Sequence, residues 1–402
     1  MDQPAGDVSR GASIGRPIAL LSAAGFASVA SMRVGDPLLP QVAQEFAVTV
    51  GDASVIATAF ALAYGLCQLL YGVLGDRFGK YRLITLATLV SALTAAAAGL
   101  VDSLGALGLA RLAGGATAAA IVPLSMAFIG DHVPYQNRQA MLARFLSGTI
   151  FGVIAGQVLG GLLGELFGWR VVFLLLSGFF LVIGMLLALE LRSARVPPPR
   201  LTSSISPAAL IRGYTHLLSR HWVVIVLVTV FAEAFLFYGA FTFVGAYLHE
   251  RFGLDYALVG VLLGCMGLGG LAYTLSVRRL LRWLGERGLS LAGGAAIAVG
   301  LVAVALSPLA LMAPAIAVLG LGLYMLHSTL QTNATQMAPE TRGLAVSTFA
   351  NALFLGQALG VWLCGLAIDR IGFRPVFVVL GLALVLVGAG FARLLDRRPA
   401  ES

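Results

Sequence analysis

The chain reads as an all-α membrane protein, twelve transmembrane helices in two parallel-related six-helix bundles, and three observations predict it. Hydrophobic residues make up 59% of the 402 and charged residues 11%, with a mean hydropathy of +0.94. A soluble chain of this length could not hide so much apolar surface. Apolar runs of about 20 residues, which a helix needs to cross roughly 30 Å of hydrocarbon, recur twelve times. The last six runs also repeat landmarks of the first six.

Spans 1 to 12 are 18–39, 53–75, 83–101, 104–130, 146–163, 171–190, 222–248, 256–277, 288–306, 309–333, 343–368 and 375–392. Ahead of span 1, residues 1–16 are polar and carry Arg10 and Arg16. Span 1 is too long for a signal-peptide core and has no small-residue cleavage site, so it is expected to stay in place as an anchor. A turn rich in glycine and charge, Gly72 to Arg82, separates spans 2 and 3, and a degenerate echo, Arg278 to Arg287, separates spans 8 and 9. The longest polar interval, Glu190 to His221, holds Pro197, Pro198, Pro199, Ser203, Ser204 and Ser206 and reads as a linker. The expected organisation is an N-terminal bundle, 1–190, a cytoplasmic linker, 191–221, and a C-terminal bundle, 222–402.

With the N-terminus in the cytoplasm, only Arg170, Arg251, Arg370 and Arg374 fall outside, Arg33 and Arg111 lie within spans, and the rest of the 26 cations face inward. That is the positive-inside asymmetry, and it places both termini in the cytoplasm. The net charge of +8 then reports topology and contact with an anionic leaflet, and no basic domain supports nucleic-acid binding. Cys67, Cys265 and Cys364 all lie in spans at no metal-ligand spacing, so neither a metal nor a cofactor is expected. Sequence signatures of an enzyme are absent as well.

The repeat is read from matched segments. Gly156-Gln157-Val158-Leu159-Gly160 returns as Gly356-Gln357-Ala358-Leu359-Gly360, and Gly168-Trp169-Arg170 as Gly372-Phe373-Arg374. Pro134 and Arg138 correspond to Pro339 and Arg342, and Gly79 to Gly285, all at offsets between 200 and 206. A parallel repeat of this kind places a solute cavity between the halves near the midplane, with rocking of one half on the other.

Glu233 stands in the middle of span 7. A carboxylate near a bilayer midplane costs several kcal/mol unless protonated, paired or facing a water-filled cavity, so it is a candidate site and points to a transporter. His327 and Gln331 share a face of span 10. By depth, His327 and Glu233 are able to meet across the cavity as a proton acceptor titrating near neutrality; the alternative is a histidine bonded to a backbone carbonyl. Phe237 and Phe241 share the Glu233 face, bordered by Tyr238, which suits a broad apolar pocket or plain lipid-facing packing. Arg111 lies about 10 Å inside the outer end of span 4 at 1.5 Å per residue, and Arg33 and Asp36 lie near the outer end of span 1. The three are expected to form one outer-half network, as a gate, a relay or a structural tie.

Gly72-Val-Leu-Gly-Asp76-Arg77-Phe-Gly79-Lys80-Tyr-Arg82 is similar to G-x-x-x-D-R-x-G-R-R, a signature of the major facilitator superfamily, and the resemblance extends over essentially the whole chain. It implies that fold, a conformational gating role for Gly72, Asp76, Arg77, Gly79, Lys80 and Arg82, and a monomer. Arg111-Leu-Ala-Gly114-Gly115 resembles the R-x-x-x-G pattern of proton-coupled members, where such an arginine assists proton transfer. In span 5, Gly152, Gly156, Gln157 and Gly160 resemble the helix-packing motif of drug:proton antiporters, with Gln157 where that motif has proline; Gly356, Gln357 and Gly360 are its echo. The resemblance therefore implies a proton-coupled exporter of a small apolar or amphipathic compound in a bacterial inner membrane. A proton symporter or facilitator importing a metabolite and a lipid translocator are the alternatives.

Overall fold

The structure is a computed structural model describing residues 6–193 and 207–398. Among the described residues every regular element is a helix. Spans 1 to 7 occupy Gly15–Phe46, Val50–Phe78, Lys80–Leu100, Leu104–His132, Tyr135–Phe167, Trp169–Arg192 and His221–Phe252. Spans 8 and 9 share one run, Tyr256–Leu306, followed by Leu309–Gln336, Pro339–Ile371 and Phe373–Arg397 as spans 10 to 12. The shared run has 51 residues; straight, it would be about 77 Å long, more than twice a hydrocarbon core. It bends instead at Gly285, where φ is 63° and ψ is −179°, so the chain makes twelve crossings.

Helices start and stop where local chemistry says they should. The Ser103, Thr49 and Asp255 side chains accept from the backbone N–H groups of Ala106, Asp52 and Leu258 at 3.3, 3.0 and 2.6 Å, opening spans 4, 2 and 8. Sharp turns at Gly79, Gly168, Gly285 and Gly372 all have positive φ, between 63° and 92°, which glycine adopts without a Cβ clash. Gly79 and Gly285 occupy matching places in the repeat, as do Gly168 and Gly372.

Two features differ from the sequence reading. Spans 5 and 11 run 33 residues each, beyond their apolar cores, because hydropathy marks only the part in hydrocarbon whereas backbone hydrogen bonding continues the helix through its polar flanks. Spans 1, 4 and 7 are broken. The first helix of span 1 ends at Arg33 and a 3₁₀ turn, Asp36–Leu38, follows with Pro37 inside it. In span 7 the break at Thr242 and Phe243 is a tightened turn, with Phe243 N–H donating to Ala240 O at 3.0 Å, and span 4 breaks similarly at Ala119 and Ala120. Of the linker, Pro207–Leu218 forms a helix; Pro197, Pro198, Pro199, Ser203, Ser204 and Ser206 lie outside the described residues.

Glycines set the closest helix approaches. A methyl group on Gly152, Gly156 or Gly160 of span 5 would meet the carbonyl oxygens of Phe26, Ala30 and Val34 in span 1 at 2.6, 2.7 and 2.9 Å. Gly356 and Gly360 of span 11 lie tighter still against Phe231 and Phe235 of span 7, the same pairing one repeat later. Gly161 faces Tyr256 and Gly260 of span 8, and Gly365 faces Gly51 of span 2. These last contacts join the first six spans to the last six on the face opposite the basic turns at Gly79 and Gly285.

Candidate functional site

Span 7 carries Glu233 to the middle of the bundle, where its side chain is 1% exposed. The His327 Nδ1 of span 10 lies 2.9 Å from Glu233 Oε2, and the imidazole is 25% exposed. Glu233 Oε1 has no hydrogen-bond partner among the described residues. Phe349 closes one side of the imidazole, its ring centroid 5.6 Å away. A buried carboxylate with one oxygen bonded to an imidazole and the other without a partner is a geometry in which a proton can pass with little rearrangement. Gln331 is exposed one turn further along span 10 and makes no hydrogen bond to the pair among the described residues.

A second polar group surrounds the break in span 1. Arg33 Nη1 stands 3.8 Å from Asp36 Oδ2, and the guanidinium lies 4.2 Å above the Tyr238 ring of span 7, a cation–π contact between the two sets of six spans. Tyr238 is within electrostatic reach of Arg33, Asp36 and Glu233, and so connects the two groups. Tyr324 of span 10 lies near Tyr238 and Arg33 as well. The Gln157 amide faces the Asp36 carboxylate, yet among the described residues neither group completes a well-formed hydrogen bond, and both are buried. Gln157 is thus part of this polar group in addition to sitting in the glycine interface of span 5. Gln357, its echo, is buried in span 11.

Arg111 does not complete the three-residue network expected from depth. Its Nε donates to Ile56 O at 2.9 Å, Nη2 to Ser31 O at 2.8 Å and Nη1 to Ser31 Oγ at 3.4 Å. Phe60 and Phe173 cover the guanidinium at 4.3 and 5.2 Å. Asp36 is within electrostatic reach, but no hydrogen bond or ion pair joins it to Arg111 among the described residues. The physical reason is the end of the first helix of span 1 at Arg33, which leaves the Ser31 carbonyl in a last turn without an intrahelical acceptor role. The aromatic face also departs from expectation: Phe237 and Phe241 stack at 5.5 Å and are fully buried in the core, so they fill space rather than line an open pocket.

At the turn after span 2, Lys80 Nζ bridges Asp76 Oδ1 at 2.7 Å and Asp131 Oδ2 of span 4 at 2.8 Å. Gly79 makes the turn, Gly75 packs on Leu124, and Gly72, Arg77 and Arg82 are exposed, with Arg77 5.3 Å from the Phe78 ring. Gln157 as a polar-site residue, Tyr324, and the carboxylates Glu165 and Asp369 were not singled out by sequence; the repeat offset pairs the last two.

Residues 21–360 match the description "Major Facilitator Superfamily". The chain belongs to this superfamily. It is accordingly a multi-pass membrane transporter, not an enzyme. Among curated relatives, the multidrug export protein EmrB of Haemophilus influenzae is 30% identical over 130 residues, 32% of this chain and 25% of that one. The Bacillus subtilis MFS-type transporter YceJ is 24% identical over 253 residues, 62% of each chain, and the inner membrane transport protein YnfM of Escherichia coli is 25% identical over 250 residues, 60% of this chain and 58% of that one. The match thus spans from a quarter to about three fifths of the length of these relatives. In fold, the nucleoside transporter NupG superposes with a TM-score of 0.77 at 12% identity, covering 94% of this chain and 99% of that one. A bacterial homologue of the human lysosomal transporter Spinster, in an inward-facing unoccupied conformation, gives 0.74 at 18% identity over 100% of both.

Proposed function

We propose that this transporter couples export of a small apolar or amphipathic organic compound to proton entry, with Glu233 and His327 as the proton site. The observation that carries the reading is the 2.9 Å Glu233–His327 contact between spans 7 and 10, in which the carboxylate is buried with one oxygen unpartnered. A neutral, protonated Glu233 lets the cavity close without a buried charge, and solute binding favours release of the proton; differential affinity of that kind is what links two gradients. The likeness to the EmrB segment supports export. On this reading the two six-span bundles rock about a cavity reached by Arg33, Asp36, Gln157, Tyr238, Gln331 and His327. The motif at Asp76 and Lys80 governs closure, both termini are cytoplasmic, and the chain works as a monomer in a bacterial inner membrane.

The test is external pH in everted vesicles that hold a preformed proton gradient while cationic, neutral and anionic compounds are added in turn. Proton release triggered by one class, lost in Glu233→Gln, is the expected result; release undiminished in that variant removes Glu233 from coupling. Gln157 in place of a proline favours import by symport as the second reading, which direction decides: in everted vesicles an exporter accumulates its solute when the lumen is acidified. A lateral apolar groove of about 340 Å³ between spans 1, 5 and 6, walled by Phe26, Leu159, Leu163, Leu175 and Phe179, favours lipid translocation as a third, checked by headgroup-labelled phospholipid transfer in proteoliposomes.

A further inference from the structure

On the face opposite the basic turns, two carboxylates reach across from one set of six spans to the other. Asp369, at the end of span 11, accepts from Thr49 Oγ1 at 2.7 Å and from the Gly51 backbone N–H at 3.2 Å, both in the opening turn of span 2. Glu165, at the end of span 5, accepts from the Tyr256 backbone N–H at 2.8 Å, in the opening turn of span 8. Glu165 and Asp369 are 204 residues apart, the offset that also relates Gly168 to Gly372. The receiving helices match too, since Thr49 and Asp255 cap spans 2 and 8 in the same way, each accepting from the N–H three residues on. Beside each acid a glycine permits close approach: Gly365 lies 3.0 Å, as its Cβ would see it, from the Gly51 Cα, and Gly161 lies 2.9 Å from the Gly260 Cα on the same measure.

The opening N–H groups of a helix have no acceptor inside it and carry partial positive charge, so each carboxylate finds both a hydrogen-bond donor and a favourable field. None of these three bonds survives separation of the two sets on this face, and opening leaves both carboxylates and their three donors to water. The cross-set contacts nearest the middle, Asn351 Nδ2 to Gly65 O at 2.9 Å and Tyr64 against Phe354 at 4.5 Å between ring centroids, continue the same closed surface inward.

We propose that Glu165 and Asp369 are a symmetric pair of gating residues that hold the opposite face closed by seating on the N-termini of spans 8 and 2, and so position the bundles for transport. Their removal shifts the conformational equilibrium toward opening on that face without touching the Glu233 site.

The test is a double electron–electron resonance distance between spin labels at positions 102 and 309, exposed sites beside the openings of spans 4 and 10 on this face, one in each set of six spans, in the purified protein in nanodiscs. Wild type is expected to populate mainly the short distance. Glu165→Ala with Asp369→Ala should raise the long-distance fraction several-fold, each single variant by less, and Glu165→Gln with Asp369→Asn by an intermediate amount, since an amide oxygen keeps an acceptor but not the charge. Glu250→Ala, an exposed acid on the same face, controls for general charge loss and should leave the distribution unchanged. A wild type already open at these labels, a double alanine variant with the wild-type distribution, or an equal shift in Glu250→Ala overturns the proposal.

Discussion

Arg111 and Glu233 are both ionisable residues buried within transmembrane helices, and the structure treats them in opposite ways. Every nitrogen of the Arg111 guanidinium meets an oxygen of span 1 or span 2, and two aromatic rings cover its faces. Among the described residues Glu233 keeps one oxygen unpartnered, and it shares the other with a ring that is itself partly exposed. A buried charge whose bonds are complete is a fixture that ties helices together. One whose bonds are half made, beside a group that can take or give a proton, has something left to do.

Four substitutions sharpen or break that contrast. The largest expected effect is on transport by Glu233→Gln: uphill, proton-driven accumulation in proteoliposomes should fall to the level of protein-free vesicles, while thermal stability stays at the wild-type value or above. Arg111→Ala should do the reverse in kind, lowering stability by about 3 kcal/mol by stripping charge-assisted hydrogen bonds from buried carbonyls; a melting temperature equal to wild type would show Arg111 to be no tie. His327→Phe leaves the Glu233 carboxylate without its partner, and a loss of about 1–3 kcal/mol is expected, together with transport whose pH profile moves relative to wild type; an unmoved profile argues against a shared proton. Smallest is Lys80→Ala, whose ion pairs are partly exposed and worth about 0.2–1 kcal/mol each. Its effect should show as slower transport with the melting temperature lowered by no more than a few degrees.

The same contrast explains what was legible in the sequence. Spans could be counted because the hydrocarbon imposes a length, and the pairing of Glu233 with His327 was within reach of depth counting because two rare polar residues stood in apolar runs. The fate of Arg111 could not be read, since its partners are the backbone carbonyls of Ser31 and Ile56, which carry no sequence signal. Nor could the role of Gln157, which stands among the packing glycines Gly152, Gly156 and Gly160 of span 5; its amide faces Asp36, in the 3₁₀ turn that follows the end of the first helix of span 1. The bend that divides Tyr256–Leu306 into spans 8 and 9 was legible, because the repeat sets Gly285 at the place of Gly79 and both glycines turn the chain with positive φ. Glu165 and Asp369 were not singled out by sequence, because their meaning depends on which helix N-termini face them.

The most direct test of the central claim needs no substrate. Infrared difference spectra of the purified protein, recorded as pH is stepped through the range where carboxyl groups titrate, should show a protonated carboxylic-acid band that is present in wild type and in Arg111→Lys and absent from Glu233→Gln. If the titrating band survives at full intensity in Glu233→Gln, the proton is held elsewhere and the distinction drawn between the two buried charges fails.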